Sequence, residues 1–294
     1  MSELTVVIAT RNRGVLLDAS IRSILAQDVD LQVKVVRTQG DEEVPSVAAV
    51  SDTRVEVLES QSTRRAFRAW QIGIERTTSP WMMTFDDDDL MVPGMLKAMM
   101  DLAKARDFDL LGGQMVIIES QDSIAELSDL RPPRRIRSKP FSWVRANPFD
   151  RYPIPGITIY RTEVVRGFAF DSVPPVGTDV LFALWALDRA HNPGTCNIPI
   201  RAYRIHSGQA SQTQDEFDPV AVHFSLLESV RDQYPQIARY MGRVEILNQA
   251  TSDLRIGKPY RVILRGAHIA AVCPSALARR QWWRLMAHVV LGRS

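Results

Sequence analysis

The chain has 294 residues, of which 45% are hydrophobic and 24% are charged. This composition is typical of a globular protein and excludes collagen-like and wholly disordered chains. The net charge of +2 is too small to indicate a nucleic-acid partner. The two cysteines, Cys196 and Cys273, are too far apart in the sequence for a disulfide framework or a zinc site, so a reducing compartment fits best.

Membrane insertion and secretion are not expected from the sequence. The apolar runs all fall short of the roughly 18 residues that a bilayer-spanning helix needs. Residues 1–10 lead directly into a strand pattern and do not resemble a secretory signal peptide.

Short apolar runs alternate with amphipathic segments in the first half of the chain. The predicted strands are Leu4–Ala9, Leu31–Val36, Thr53–Leu58 and Pro80–Phe85. The predicted helices are Gly14–Gln27, Thr63–Thr77 and Pro93–Arg106. This alternation indicates βαβ units, which build a parallel sheet with helices on both faces. We therefore expect a doubly wound, nucleotide-binding half over residues 1–110, with its ligands at the carboxyl ends of the strands.

The second half is less regular. Strands are predicted at Ile157–Tyr160 and Asn197–His206, and helices at Asp179–His191, Phe217–Pro235, Ile237–Leu254 and Pro274–Leu291. Residues 130–140 carry five basic residues, three prolines and no acid, which predicts an extended, exposed segment. It is either a solvated loop or a flap that closes over phosphates or acceptor. The expected domains are 1–215, with an acceptor-side half at 111–215, and a helical extension at 216–294.

Four consecutive carboxylates, Asp86–Asp89, follow the fourth predicted strand. Their mutual repulsion needs an opposing charge, and Mg²⁺ or Mn²⁺ suits both carboxylate and diphosphate oxygens. The alternative is a solvated acidic turn in which Asp89 caps the next helix. The chain has no GxxxxGK[ST] loop, no GxGxxG after the first strand, and no EF-hand glycine and glutamate beside the acidic run.

A series of short motifs runs from about residue 4 to residue 212. They are Val7–Arg13, Arg68–Ile74, Phe85–Leu90, Ile157–Arg161, Gly167-Phe168 with Phe170-Asp171, Thr178-Asp179, and Tyr203–His206 with Ser211. In this order and spacing they resemble the motifs of family 2 nucleotide-sugar glycosyltransferases of the GT-A type. The resemblance implies a GT-A α/β fold, with a doubly wound, mostly parallel central sheet flanked by helices, followed here by the helical C-terminal extension.

The resemblance also implies how a donor and a metal would be bound. The implied donor-binding residues are Thr10, Arg13, Arg65, Asp86 and Asp87. Asp88 and His206 would hold a divalent metal, Mn²⁺ or Mg²⁺. From the residues alone, Arg65 is equally well interpreted as a solvated helix residue and His206 as a structural histidine.

Asp179 is the implied general base for the acceptor hydroxyl. The family inverts the anomeric centre by direct displacement, so a single base suffices. The alternative is that Asp179 only caps a helix. This sequence departs from the family pattern at Arg37-Thr38, where an aspartate usually reads uracil, at Gln71 in place of asparagine, and at Thr178 in place of glutamate.

The implied function is metal-dependent, inverting transfer of a sugar from a nucleotide diphosphate sugar to a hydroxyl acceptor. The acceptor would be a saccharide or a lipid-linked saccharide in bacterial polysaccharide or glycolipid synthesis, and the location cytoplasmic. The alternative is a non-catalytic protein of the same fold that binds a nucleotide sugar or serves as a scaffold.

From Asp253 onward, eight lysines and arginines accompany a single acid and the pair Trp282-Trp283. This basic amphipathic pattern is typical of segments that lie on an anionic membrane, here the inner face of the plasma membrane. The alternative is a pair of helices packed against the catalytic domain.

Overall fold

In the computed structural model, strands and helices alternate as the hydrophobic pattern predicts. The structure describes residues 2–41, 43–61, 66–118, 127, 130, 133–141, 157–170, 178–206, 235–255, 258–273, 276–277 and 280–291. The strands are β1 (Leu4–Thr10), β2 (Leu31–Thr38), β3 (Val55–Ser60), β4 (Trp81–Asp86), β5 (Leu90–Met91), β6 (Leu110–Ile118), β7 (Ser138–Pro140), β8 (Thr158–Arg161) and β9 (Pro193–Arg204). The helices are α1 (Gly14–Leu25), α2 (Ala66–Glu75), α3 (Met95–Ala105), α4 (Thr162–Val165), α5 (Thr178–Arg189), α6 (Pro235–Arg255), α7 (Pro259–Val272) and α8 (Arg280–Leu291).

The chain divides into two compact units. The first comprises Met1–Pro140 and Ile154–Val222, and the second comprises Phe141–Pro153 and His223–Ser294. Among the described residues, all strands lie in the first unit and α6, α7 and α8 lie in the second. The predicted helix Phe217–Pro235 falls outside the described residues except for Pro235, which begins α6.

The strands of the first unit form one mixed sheet in the order β3-β2-β1-β4-β8-β6-β9-β5, with β7 added on β9. β1 is parallel to both β2 and β4, and β2 is parallel to β3, as the βαβ pattern predicts. β8 then runs antiparallel between β4 and β6, while β6 and β9 are parallel. Helices α1 and α3 bury apolar stripes, including Leu17, Ile21, Leu96 and Met99, in the core beside the sheet.

The parallel register of β1 and β4 brings two sequence motifs together. Ala9 lies opposite Asp86, so the residues that follow β1 and the acidic run after β4 share the carboxyl edge of the sheet. This juxtaposition, expected from the topology of parallel sheets, is therefore confirmed.

Strand β6 was not predicted, because its Gly112-Gly113 pair is typical of a loop. The structure shows why glycine is required inside this strand. A Cβ atom at Gly113 would lie 2.9 Å from Ile200 Cγ2 and 3.0 Å from the carbonyl oxygen of Ile198 in β9. The close approach of two strands thus overrides the local preference of the glycines.

Helix α7 was also missed, and α8 begins at Arg280 and not at the predicted Pro274. Gly266 lies on the buried side of α7, where Met286 Sδ and Trp282 Cη2 would be 3.2 and 3.3 Å from an added Cβ. Because this contact uses a glycine, the apolar stripe of α7 is interrupted in the sequence. No helix among the described residues is long and apolar enough to cross a bilayer.

The basic segment at 130–140 is extended where the structure describes it. Residues 133–140 are largely exposed, and Ser138–Pro140 forms β7 antiparallel to β9. Strand β9 itself begins at Pro193, four residues before the predicted start, because its first residues pair with β6 and β7.

Candidate active site

The acidic run occupies the turn between β4 and β5. Asp86 ends β4, and the three carboxylates that follow it, Asp87, Asp88 and Asp89, are all buried. Asp89 does not cap the next helix, since the residue before α3 is Gly94 and Asp89 Oδ1 instead accepts a hydrogen bond from the Arg204 amide at 3.0 Å. The interpretation as a solvated acidic turn is therefore wrong.

Basic side chains surround these carboxylates. Arg13, at the N-terminus of α1, donates from Nη1 to Asp87 Oδ1 at 2.9 Å and also contacts Asp88. Arg201 pairs with both Asp86 and Asp89. His206, just beyond β9, places Nε2 3.3 Å from Asp88 Oδ2. The cluster thus joins the ends of β1 and β4 to the far end of β9.

Burial dominates the electrostatics of the turn. It raises the pKa of Asp87 to about 6, although Arg13 favours the charged form. It likewise raises the pKa of Asp89 to about 7, against the opposing effect of Arg201. Burial disfavours the charge on Arg13, but the carboxylates of Asp87 and Asp88 outweigh it and raise the pKa of Arg13. The turn therefore holds close carboxylates whose mutual repulsion and desolvation are offset in part by Arg13 and Arg201.

Oxygen atoms of Asp86, Asp88 and Asp89 lie within 4.8 Å of one another, close enough to surround a metal ion. Carboxylate oxygens are the ligands that Mg²⁺ and Mn²⁺ prefer. Asp89 is completely buried and already accepts the Arg204 amide, which leaves the half-exposed Asp86 and the mostly buried Asp88 as the carboxylates that solvent reaches. The residues present therefore fit a divalent cation.

The other predicted site residues lie in different surroundings. Thr10 is buried at the end of β1. Arg65 falls outside the described residues. Asp179 is exposed in the first turn of α5, one residue inside the helix, and Thr178 before it is buried. A carboxylate in a first helical turn is favoured by the helix dipole, whatever else it does.

Arg201 and Arg204 were missed by the sequence analysis. The side chain of Arg204 is buried, donating to the backbone carbonyl of Asp88 and, from Nη2, to that of Leu16 at 3.0 Å. Strand β9 alternates buried and partly buried residues along its whole length. An arginine at a buried position of an alternating strand indicates a nearby carboxylate or carbonyl partner, because a buried guanidinium needs one. This pattern could have identified Arg204 from the sequence.

Two departures from the family pattern also have defined surroundings. Arg37 pairs with Glu59 of β3, and its Nη1 lies 3.4 Å from the carbonyl oxygen of Asp41. Gln71 accepts a hydrogen bond from Arg68 at 2.8 Å and donates one to Glu75 at 2.7 Å. Both substitutions are thus accommodated by local polar contacts.

The sequence is similar to a known family and to a known protein. The sequence model of the family described as "Glycosyl transferase family 2" matches residues 5–168. The chain is 27% identical over 224 residues to the succinoglycan biosynthesis protein ExoO of Rhizobium meliloti, a match that covers 71% of this chain and 63% of that protein.

The fold resembles that of TarS from S. aureus. The structure of TarS 1–349 in complex with UDP-GlcNAc superposes with a TM-score of 0.64 at 12% identity, covering 99% of this chain and 92% of that one. The same fragment in complex with UDP gives a TM-score of 0.56 at 12% identity over the same shares of the two chains. The predicted GT-A type α/β fold with a helical C-terminal region is therefore confirmed.

Proposed function

Because the chain belongs to glycosyl transferase family 2, we propose that it transfers a sugar from a nucleotide diphosphate sugar to a hydroxyl acceptor. The observation that carries this proposal is the buried acidic turn at the joint carboxyl edge of β1 and β4, with Arg13 beside it. It supplies carboxylates and a guanidinium at the edge where α/β sheets bind nucleotides. The UDP-GlcNAc complex of TarS supports a donor of this class.

On the donor side, we assign the diphosphate to Thr10, Arg13 and Arg65, and the ribose or the metal to Asp86 and Asp87. Arginine suits this task because its planar guanidinium binds phosphate oxygens in pairs. In the structure Arg13 already bridges Asp87 and Asp88, so donor binding would redistribute its contacts from carboxylate to phosphate.

Asp88 is assigned as the principal metal ligand, with His206 beside it. A bound Mg²⁺ or Mn²⁺ would neutralise the charge that develops on the departing nucleotide diphosphate. Asp89 has a supporting role, because its contacts with Arg201 and the Arg204 amide fix the turn that presents Asp88.

Asp179 is assigned as the general base that takes the proton of the acceptor hydroxyl while the sugar is transferred with inversion. Its exposure at the start of α5 leaves the carboxylate accessible to an incoming acceptor. A single base is sufficient for direct displacement, since no covalent intermediate has to be resolved.

We place the reaction in the synthesis of a bacterial polysaccharide or glycolipid, with a saccharide or lipid-linked saccharide as acceptor. The similarity to a protein named for succinoglycan biosynthesis supports this context. We propose a cytoplasmic location with peripheral contact at the membrane through the C-terminal extension, and a catalytic domain that ends near residue 215.

The first test measures whether donor binding needs Asp88 and a metal. UDP, GDP, dTDP and CDP are titrated calorimetrically into the protein with Mn²⁺ and with EDTA. We expect the nucleotide that binds best to lose at least about tenfold in affinity in EDTA, because carboxylates alone repel a diphosphate. Asp88→Asn should show the weak affinity in both conditions. The control Asp101→Asn removes an exposed carboxylate on α3 and should behave as wild type.

Equal affinities for wild type and Asp88→Asn, with and without Mn²⁺, would rule out the metal-bridged donor. Binding that follows the expected pattern without any transfer or hydrolysis of the corresponding nucleotide sugar would instead favour the non-catalytic alternative.

The second test concerns Asp179. Asp179→Asn preserves the size of the side chain and a hydrogen-bonding oxygen but cannot accept a proton, so turnover should fall by about 10² to 10⁴ while donor affinity stays unchanged. Asp188→Asn, on the same helix, is the matched control. The assay measures release of the nucleotide diphosphate as the sugar is transferred or hydrolysed, and the melting temperature is recorded for each variant. Turnover close to that of wild type would refute the assignment.

A further inference from the structure

Helix α7 is apolar on two sides. Its inner side contributes Val262 and Ile269 to the core of the second unit. Its outer side carries Tyr260, Ile263 and Leu264, whose exposed fractions lie between 52% and 67%. Contiguous exposed apolar side chains of this size are uncommon on a soluble protein and indicate a contact surface.

A basic cleft borders these outer residues. It has a volume of about 400 Å³ and is lined by Ile246, Arg261, Leu264, Arg265 and His268. Because Leu264 belongs to both the cleft and the apolar row, the charged and apolar surfaces are continuous.

The charge of the cleft is only partly balanced. Arg265 donates from Nε to Asp253 Oδ2 at 2.8 Å and also contacts Gln249, so its guanidinium is held in place. Arg261 reaches Asp253 only at 4.0 Å, the outer limit of an ion pair. Asp253 thus faces two guanidinium groups, and a second carboxylate, Glu245, joins this network only through Gln249. The residues that line the cleft itself include two arginines and no acidic residue.

The sequence around the cleft also has an excess of positive charge. Residues 259–291 contain five arginines and no acidic residue. On α8, Trp283 is exposed while its neighbour Trp282 is buried in the core of the second unit. Exposed aromatic and aliphatic side chains among cations are the features that hold a helix at the headgroup level of a bilayer.

We propose that the outer face of α7, defined by Tyr260, Ile263 and Leu264, is a docking surface for an anionic phospholipid bilayer. The apolar side chains enter the headgroup and acyl boundary, and the cleft beside Arg261 accepts a lipid phosphate. A bilayer fits better than a protein partner because cations and exposed apolar side chains lie side by side on one helix, and Asp253 balances the two guanidinium groups only in part. The inference specifies the surface behind the peripheral location proposed above, and it does not depend on sugar transfer.

The experiment is sedimentation of the full-length protein with vesicles, without donor or acceptor. One set contains 30% phosphatidylglycerol in phosphatidylcholine and the other phosphatidylcholine alone. We expect partition to the anionic vesicles only, and weaker partition at higher salt because exposed charges are screened. Arg261→Gln should weaken it about fivefold, and Leu264→Gln about tenfold, through the loss of buried apolar area.

The control Lys97→Gln removes one exposed positive charge from α3 in the first unit and should leave partition unchanged. All three substitutions are at exposed positions, and unchanged melting temperatures verify that the variants fold. Equal partition to both vesicle types, no partition at all, or equal partition of all variants would overturn the proposal. Binding of inorganic phosphate through Arg261 without vesicle binding would overturn the bilayer as the ligand.

Discussion

At Gly73, helix α2 packs closely against strand β1 of the central sheet. A Cβ atom at this position would lie 2.3 Å from Cγ1, 3.2 Å from Cγ2 and 3.3 Å from Cβ of Val7 in β1. Val7 is completely buried, and its branched side chain has few alternative rotamers, so it cannot swing away. For ordinary contact, α2 would have to move outward by about 1 Å.

The expected cost of Gly73→Ala follows from two opposing effects. Overpacking costs about 1–3 kcal/mol, and a contact of 2.3 Å with a buried, β-branched side chain places Gly73→Ala near the upper end of that range, at about 2–3 kcal/mol. Alanine regains about 1 kcal/mol of helix propensity over glycine. We therefore expect a net destabilisation of about 1–2 kcal/mol in urea unfolding. Gly242→Ala in α6 is the matched control, because nothing lies within 4 Å of its added Cβ, and it should stabilise the second unit by up to about 1 kcal/mol.

A double-mutant cycle separates the clash from other effects. Val7→Ala alone should cost about 2–3 kcal/mol through lost methyl groups and a cavity. In Val7→Ala/Gly73→Ala the new methyl group at position 73 fills the cavity left at position 7. The double variant should therefore lose less unfolding free energy than the two single variants lose together, by at least about 1 kcal/mol. Additive effects, or a Gly73→Ala variant as stable as wild type, would refute the packing argument.

Arg201→Met removes the guanidinium that pairs with Asp86 and Asp89, and should lower the free energy of unfolding by about 3 kcal/mol at pH 8. Asp89→Asn in the same chain should recover part of this loss, and no recovery would mean that the pairing is not the cause. Cys196 and Cys273 are both buried, and burial raises the pKa of the Cys196 thiol. Ellman's reagent should therefore label neither thiol within minutes in native protein at pH 8 and both in urea, whereas fast native labelling would contradict the burial.

Hydrophobic periodicity accounts for most of the first half of the fold. Strand β1 was predicted as Leu4–Ala9 and ends at Thr10, and α3 was predicted as Pro93–Arg106 and spans Met95–Ala105. These elements are predictable because each buries a continuous apolar set of its own residues. Strand β6 and helix α7 are not predictable in this way. Each contains a glycine, Gly113 or Gly266, that is required by close contact with an element distant in the sequence.

At the candidate site, too, features fixed by strand topology could be predicted and contacts between distant side chains could not. The meeting of the segment after β1 with Asp86–Asp89 could be predicted, since parallel topology fixes where strand ends lie. The pairing of this turn with Arg201 and Arg204 could not, because no local pattern specifies which distant cation neutralises a carboxylate. The contact between Asp88 and His206 was expected only from the order of motifs in the family.

The position of these counter-ions in the chain has a consequence for synthesis on the ribosome. Asp89 and the Arg204 amide that it accepts are separated by 115 residues. At a translation rate of about 5–20 residues per second, the acidic turn waits about 6–23 s before β9 is made. The parallel strands that precede it can assemble during that interval with Arg13 beside Asp87 and Asp88, but Asp89 would have to be buried without Arg201 and the Arg204 amide. Final closure of this edge of the sheet is therefore expected to be a late step in folding that follows the synthesis of β9.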